Sequence, residues 1–123
     1  MAVILIVDDD PLVRELTEMT VESIGHSTCA AGDVEEALSV INTGRDIDLL
    51  FTDIFLMTSM YGGCDLAREA VRLRPGLPVL YTTGHANSAA LTSRFVEGAQ
   101  FIRKPYTVPQ LRNLLNSMLA PRL

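Results

Sequence analysis

Side chains able to do chemistry stand at or just past the ends of short apolar runs. Asp8 and Asp9 follow residues 2–7, Asp53 follows Leu49-Leu50-Phe51, Thr83 follows Val79-Leu80-Tyr81, and Lys104 follows residues 99–102. Carboxylates brought close together repel, so at least one pKa must rise unless a cation is shared among them. Oxygen-only donors suit a hard ion such as Mg²⁺, which keeps several waters and takes few carboxylates. A metal held in this way also takes the oxygens of a phosphoryl group, leaving one carboxylate free as nucleophile. Lys104 and the Thr83 hydroxyl can then hold the remaining phosphoryl oxygens, as the charge spreading in phosphoryl transfer requires. All of this depends on residues far apart in the chain meeting at one place.

The elements between them show how they would meet. Residues 2–7 (Ala-Val-Ile-Leu-Ile-Val) form a continuous apolar run, the pattern of a strand buried on both faces. Asp10-Pro11 reads as an N-cap followed by proline at the first helical position. Leu12, Leu16, Met19 and Ile24 give a helical stripe that Gly25 stops. Residues 27–31 suit a second strand. Asp33 and Glu36 resemble a capping box for a helix with Val34, Ala37, Leu38 and Ile41 on its buried face, ending at Gly44. The run ending at Asp53 is a third strand. Leu66, Ala70 and Leu73 mark a third helix, halted by Arg74-Pro75-Gly76. Residues 79–81 form a fourth strand ending on Thr82-Thr83-Gly84, and residues 87–95 a short fourth helix. Residues 99–102 give a fifth strand. In the last helix Thr107 and Gln110 form a capping box ahead of Leu111, Leu114, Leu115, Met118 and Leu119.

Strict alternation of strands and helices implies an α/β fold, a doubly wound parallel sheet with helices on both faces. Such sheets carry their sites beyond the carboxyl ends of the strands, where the strand order reverses. Asp8, Asp9, Asp53, Thr83 and Lys104 are therefore expected along one edge.

The bulk properties agree. A chain of 123 residues with 48% apolar and 20% charged residues suits one domain, residues 1–123, with its own core. Its net charge of −5 argues against nucleic acid and against charge-driven docking on an anionic membrane. Cys29 and Cys64 are too few for a disulfide framework or a four-cysteine zinc site, and are read as small apolar side chains. The longest apolar run is far short of a membrane span and lacks the features of a secretory signal, so a cytoplasmic location is expected.

The chain resembles the response-regulator receiver domains of two-component signalling. The resemblance lies in Ile6-Val7-Asp8-Asp9-Asp10, Phe51-Thr52-Asp53, Leu80-Tyr81-Thr82-Thr83-Gly84 and Phe101-Ile102-Arg103-Lys104-Pro105, in the family's order and close to its spacing. It implies a flavodoxin-like five-stranded sheet with strand order 2-1-3-4-5. It further implies that Asp53 accepts a phosphoryl group from a phosphohistidine on a sensor histidine kinase or phosphotransfer protein. Mg²⁺ would be held by Asp8, Asp9, Asp53 and the Phe55 backbone carbonyl, with Asp9 in direct contact and Asp8 acting largely through water. Lys104 would pair with the phosphoryl group, next to a Lys104–Pro105 bond expected to be cis. Thr83 and Phe101 would be the switch residues, Thr83 turning toward the phosphoryl oxygens and Phe101 swinging into the space behind it. Small Gly84 would keep access to the aspartate open. Met57 stands where the family usually has proline, the loop from Asp53 to Gly62-Gly63 is slightly longer than usual, and Phe101 replaces the more familiar tyrosine.

Plainer readings accompany several of these residues. Asp10 is an N-cap and nothing more. Thr82 rivals Thr83, since alternation along a strand lets one of the two face the site; the resemblance selects Thr83. Phe101 is by default a core aromatic. His85 is either an exposed loop residue or close enough to an acyl phosphate to tune its hydrolysis, and His26 suggests no role beyond a turn. Met57, Met60 and Tyr61 form either a partner-facing patch or loop packing.

The leading expectation is a stand-alone receiver or relay intermediate that catalyses only its own phosphorylation and dephosphorylation. It would signal to a downstream protein through the fourth helix, fifth strand and fifth helix, with homodimerisation left open. Two other functions compete. One is a docking domain that never uses Asp53. The other is an aspartate-nucleophile phosphatase, suggested by Asp8-x-Asp10 but opposed by Leu12, where such enzymes favour Thr or Val, and by the lack of a cap.

Overall fold

Val-Ile-Leu-Ile-Val at residues 3–7 offers apolar side chains to both faces, so this segment belongs in the middle of a sheet. A computed structural model, described here for residues 2–56, 60–85 and 88–120, places it there. Strands and helices alternate as β1 (Val3–Val7), α1 (Pro11–Ile24), β2 (Ser27–Ala31), α2 (Val34–Asn42), β3 (Leu49–Asp53), α3 (Gly62–Leu73), β4 (Val79–Thr83), α4 (Ala89–Thr92), β5 (Gln100–Arg103) and α5 (Val108–Leu119). The strands pair in parallel in the order β2-β1-β3-β4-β5, as the resemblance implies. Among the described residues no helix is long and apolar enough to cross a membrane.

Side-chain alternation splits the core into two layers. Ile4, Ile6, Leu49, Phe51, Leu80 and Ile102 pack with Val21 of α1 and Leu111 and Leu115 of α5. Leu5, Val7, Leu50, Val79 and Tyr81 pack on the other face with Ala37 and Ile41 of α2 and with Leu66, Ala67 and Ala70 of α3. Each fully buried aliphatic side chain contributes roughly 1.5–3 kcal/mol relative to exposure. Cys29 and Cys64 are free and buried, in line with their reading as small apolar residues.

The helix ends follow the sequence signals. Asp10 accepts from the Leu12 and Val13 N–H groups with Pro11 in the first turn, and Asp33 accepts from the Glu36 N–H. Thr107 and Gln110 complete a reciprocal capping box, a feature that stabilises a helix by about 1 kcal/mol.

The stripe on α1 requires correction. Leu12, Leu16 and Met19 are 67%, 56% and 60% exposed, while Val21 is fully buried and Val13, Thr17 and Ile24 are half-buried. The helix carries apolar residues on two faces, and packing selects the one bearing Val13, Thr17, Val21 and Ile24. The fourth helix is also shorter than expected, spanning Ala89–Thr92 behind the Ser88 cap. β5 lies one residue later than expected. Met57 and Asn87 lie outside the described residues.

Candidate functional site

The sheet topology gathers the chemistry. The chain leaves β1 toward β2 on one side and later returns as β3 on the other, so the strand order reverses between β1 and β3. Asp8 and Asp9 lie just past β1, and Asp53 is the last residue of β3. Register carries the edge onward: Val7 pairs with Thr52, Asp53 with Thr82, and Thr83 with Arg103, the residue before Lys104. The Lys104 N–H donates to the Thr83 carbonyl at 2.9 Å, which fixes where its side chain starts. The Lys104–Pro105 peptide is cis.

From there the Lys104 ammonium reaches back across the edge, donating to Asp8 Oδ2 at 3.2 Å and to Asp53 Oδ2 at 3.1 Å. Asp8 is buried and Asp53 nearly so, with its side chain 13% exposed. One oxygen from each of Asp8, Asp9 and Asp53 lies within 4.8 Å of the others. Oxygens around Mg²⁺ sit at about 2.1 Å from the ion, hence about 3 Å apart on neighbouring vertices and about 4.2 Å apart on opposite ones. An all-oxygen acidic set of this spread fits a hard divalent cation after shifts of a few tenths of an ångström.

The electrostatics match this need. Burial pushes the Asp53 carboxyl above its usual range; Lys104 opposes the rise, and Asp8 and Asp9 add to it. For Lys104 the largest single effect, lost hydration, favours the neutral amine, but Asp53 and Asp8 together outweigh it and raise its pKa. The edge therefore holds more negative charge than one ammonium balances, the condition that favours cation uptake.

The remaining expected residues lie around this centre. Thr83 is buried at the end of β4, where its hydroxyl oxygen accepts from the His85 N–H at 3.3 Å. Thr82 points into a small cavity lined also by Asp8, Thr17, Phe51 and Lys104, and its hydroxyl oxygen is buried with no hydrogen-bond partner among the described residues. The Phe55 ring, two residues past Asp53, lies edge-on to His85 at 4.9 Å between centroids and tilted against Tyr61 at 5.6 Å. His85 is thus exposed yet in ring contact with the loop after β3, and Tyr61 packs under the Arg94 guanidinium, 3.7 Å from its ring centroid. Met60 is exposed. Phe101 is half-buried and stacks on Phe95 at 6.0 Å, and Phe95 stacks on Tyr81 at 4.4 Å. The Tyr81 hydroxyl, its pKa pushed up to about 12 by burial, accepts from the Val96 N–H.

Three contributors escape the sequence pattern. Gly63 packs directly on the Asp53 backbone, a contact that the Gly62-Gly63 pair does not reveal in the sequence. Tyr106 is half-buried beside Phe51, close enough to Lys104, Asp8 and Asp53 to feel their charge, and lost hydration raises its pKa. His26, read as a turn residue, accepts from the Ala2 N–H through Nδ1 at 3.2 Å and so ties down the start of β1.

Comparison with known proteins agrees with this geometry. The family profile described as the response regulator receiver domain matches residues 4–116. The nitrogen assimilation regulatory protein NtrX of Azorhizobium caulinodans is 36% identical over 109 residues, covering 88% of this chain and 24% of that protein. The response regulator protein PilR of Pseudomonas aeruginosa is 32% identical over 119 residues, 96% of this chain and 26% of its own. The chain thus spans about a quarter of the length of these curated relatives. Among solved structures, a response regulator receiver protein from Sinorhizobium medicae superposes with a TM-score of 0.88 at 28% identity, covering 99% of this chain and 97% of that one. The receiver domain of NtrX from Brucella abortus superposes at 0.83 with 34% identity, covering 97% and 99%. With its strand order, its acidic edge and a family profile that spans nearly its whole length, the chain belongs to the response regulator receiver domain family.

Proposed function

We propose that this receiver is a phosphorylation-driven switch in which Asp53 takes a phosphoryl group from a phosphohistidine, on a sensor histidine kinase or phosphotransfer protein, in a Mg²⁺-dependent step. The observation that carries the reading is the Lys104 ammonium held between Asp8 and Asp53, beside an acidic cluster able to ligate a hard cation. Asp8, Asp9 and Asp53, with the Phe55 carbonyl, are the residues that would hold the ion. When bound, Mg²⁺ supplies positive charge that neutralises the phosphoryl oxygens and the clustered carboxylates.

The protein's own groups do the rest. An Asp53 carboxylate oxygen donates its electron pair to phosphorus as the phosphorus–nitrogen bond of the phosphohistidine breaks, and the imidazole nitrogen leaves with the bonding pair. Lys104 is already placed at this carboxylate, so its charge meets the transferred oxygens without a further search. The Thr83 hydroxyl is held by the His85 N–H, and turning toward a phosphoryl oxygen would exchange that bond for a charge-assisted one. Phe101, on the outer side of the Phe95–Tyr81 stack, would respond at the α4–β5–α5 surface. A shallow groove there, lined by Phe101, Arg103, Pro105, Gln110 and Leu114, is the proposed contact for a downstream protein. The domain catalyses only its own phosphorylation and dephosphorylation.

The test is intact-mass measurement after incubation with acetyl phosphate and Mg²⁺, beside Asp53→Asn and a chelated sample. One added phosphoryl group, absent from both controls, is expected. No adduct from either acetyl phosphate or a phosphorylated kinase, together with no detectable Mg²⁺ binding, would replace the switch with a docking domain.

A further inference from the structure

We propose that Arg14 is a positioning residue for the metal-binding edge, its guanidinium fixing the peptide between Asp8 and Asp9 and thereby aiming the Asp9 carboxylate. This rests on the Mg²⁺-dependent reading of the site. Arg14 lies in the first turn of α1 on its half-buried side, and its Nη1 donates to the Asp8 carbonyl oxygen at 2.8 Å. The rest of Asp8 is also held. Its N–H donates to the Ala31 carbonyl at 3.2 Å, Oδ1 accepts from the Asp10 N–H at 2.9 Å, and Oδ2 accepts from Lys104.

The Asp8 carbonyl needs a separate anchor because the sheet has ended. Pairing of β1 with both neighbours stops at Val7, opposite Ala31 on one side and Thr52 on the other. The Asp8 carbonyl and the Asp9 N–H belong to one planar unit, so a hydrogen bond on the carbonyl sets the plane from which the Asp9 side chain projects. A flat guanidinium with several fixed donors suits this better than a mobile ammonium.

The seat for the guanidinium supports the same conclusion. A β-carbon at Gly32 would lie 3.1 Å from Arg14 Nη1 and 3.8 Å from Cζ. The backbone does not demand glycine at this point, since the positive-φ glycines are Gly25, Gly44, Gly76 and Gly98. What Gly32 provides, immediately after β2, is room for Arg14.

The sign of one measurement separates positioning from charge. A cation beside a Mg²⁺ site repels the ion, so removing a charge with no other role tightens binding. Loss of a group that orients a ligand instead weakens binding, typically by about tenfold or more. Calorimetric Mg²⁺ titration of the full chain is compared for wild type, Arg14→Gln, Arg14→Lys and Gly32→Ala, with urea stability measured for each. Arg14→Gln is expected to bind Mg²⁺ about tenfold more weakly. Arg14→Lys should lose less, and Gly32→Ala should weaken binding although Arg14 keeps its charge. Phosphorylation by acetyl phosphate should return to the wild-type rate at saturating Mg²⁺. Unchanged or tighter binding in Arg14→Gln overturns the inference. If that variant fails to fold, unchanged binding in Gly32→Ala overturns it. A wild-type chain that binds no Mg²⁺ overturns the metal-dependent reading itself, and this inference with it.

Discussion

Gly63 lies so close to Asp53 that a β-carbon on it would stand 2.0 Å from the Asp53 carbonyl oxygen and 2.8 Å from the Ile54 Cα. The Gly63 N–H donates to the Ile54 carbonyl at 2.9 Å, so the first turn of α3 is bonded directly to the end of the strand that carries the proposed phosphoacceptor. Ile54, just past β3, and Gly63, in the first turn of α3, thus meet directly. The position of Asp53 is thereby set from behind by backbone, while Lys104 sets its carboxylate from in front.

Gly63→Ala is accordingly expected to be severe. The clash is with main chain, which no rotamer change relieves, so the loss of stability should reach at least about 3 kcal/mol, at the upper end for overpacking. Urea denaturation measures it. A loss under 1 kcal/mol would show that α3 can move away from β3 at little cost.

A second expectation concerns acid. Burial raises the Asp53 pKa despite Lys104, with Asp8 and Asp9 adding to the rise. An acid whose folded pKa exceeds its unfolded value contributes stability below the unfolded value, here the ordinary 3.8, and loses it as pH rises through the folded one. Ionised Asp53 therefore costs stability at neutral pH. Asp53→Asn without Mg²⁺ should be more stable than wild type at pH 7, since Lys104 keeps Asp8 as a partner. The gain should shrink as pH falls through the Asp53 titration. Denaturation series at several pH values decide this, and a gain that stays constant into acid would show that Asp53 is not the group responsible.

Much of the fold and the site is legible in the sequence because strand ends are punctuated. The apolar runs before Asp8, Asp53, Thr83 and Lys104 stop abruptly at polar residues, and in a parallel sheet those stops share one edge. The rest depends on information that local pattern lacks. Two faces of α1 are apolar, and spacing alone does not say which one meets the sheet. The approach of Gly63 in α3 to Asp53 at the end of β3 is set by how α3 packs back on its own strand. The ring contact of Phe55 with His85 joins the segments after β3 and β4, visible only once those strands lie side by side.

The α1 correction yields its own test. Leu12→Ser, Leu16→Ser and Met19→Ser should each change stability by no more than about 0.5 kcal/mol, as surface substitutions do. Val21→Ala, on the buried face, should cost about 2 kcal/mol. Thermal denaturation of the four variants checks the assignment. A large loss at Leu16 would return that side of the helix to the core.

The last prediction separates the two threonines that end β4. The Thr82 hydroxyl oxygen is buried without a partner among the described residues, on the side of the strand that faces Asp8 and Lys104, whereas the Thr83 oxygen accepts from the His85 N–H. An unpaired buried hydroxyl costs desolvation with no bond in return, while valine has the same shape without that cost. Thr82→Val should therefore stabilise the domain by about 1 kcal/mol and leave the yield of phosphorylation unchanged. Thr83→Ala removes the hydroxyl proposed to meet the phosphoryl group, so it should leave formation of the adduct possible but blunt any phosphorylation-dependent change at Phe101, followed by chemical shifts of its ring. If Thr82→Val instead destabilises the fold and abolishes that change while Thr83→Ala preserves it, the switching hydroxyl belongs to Thr82.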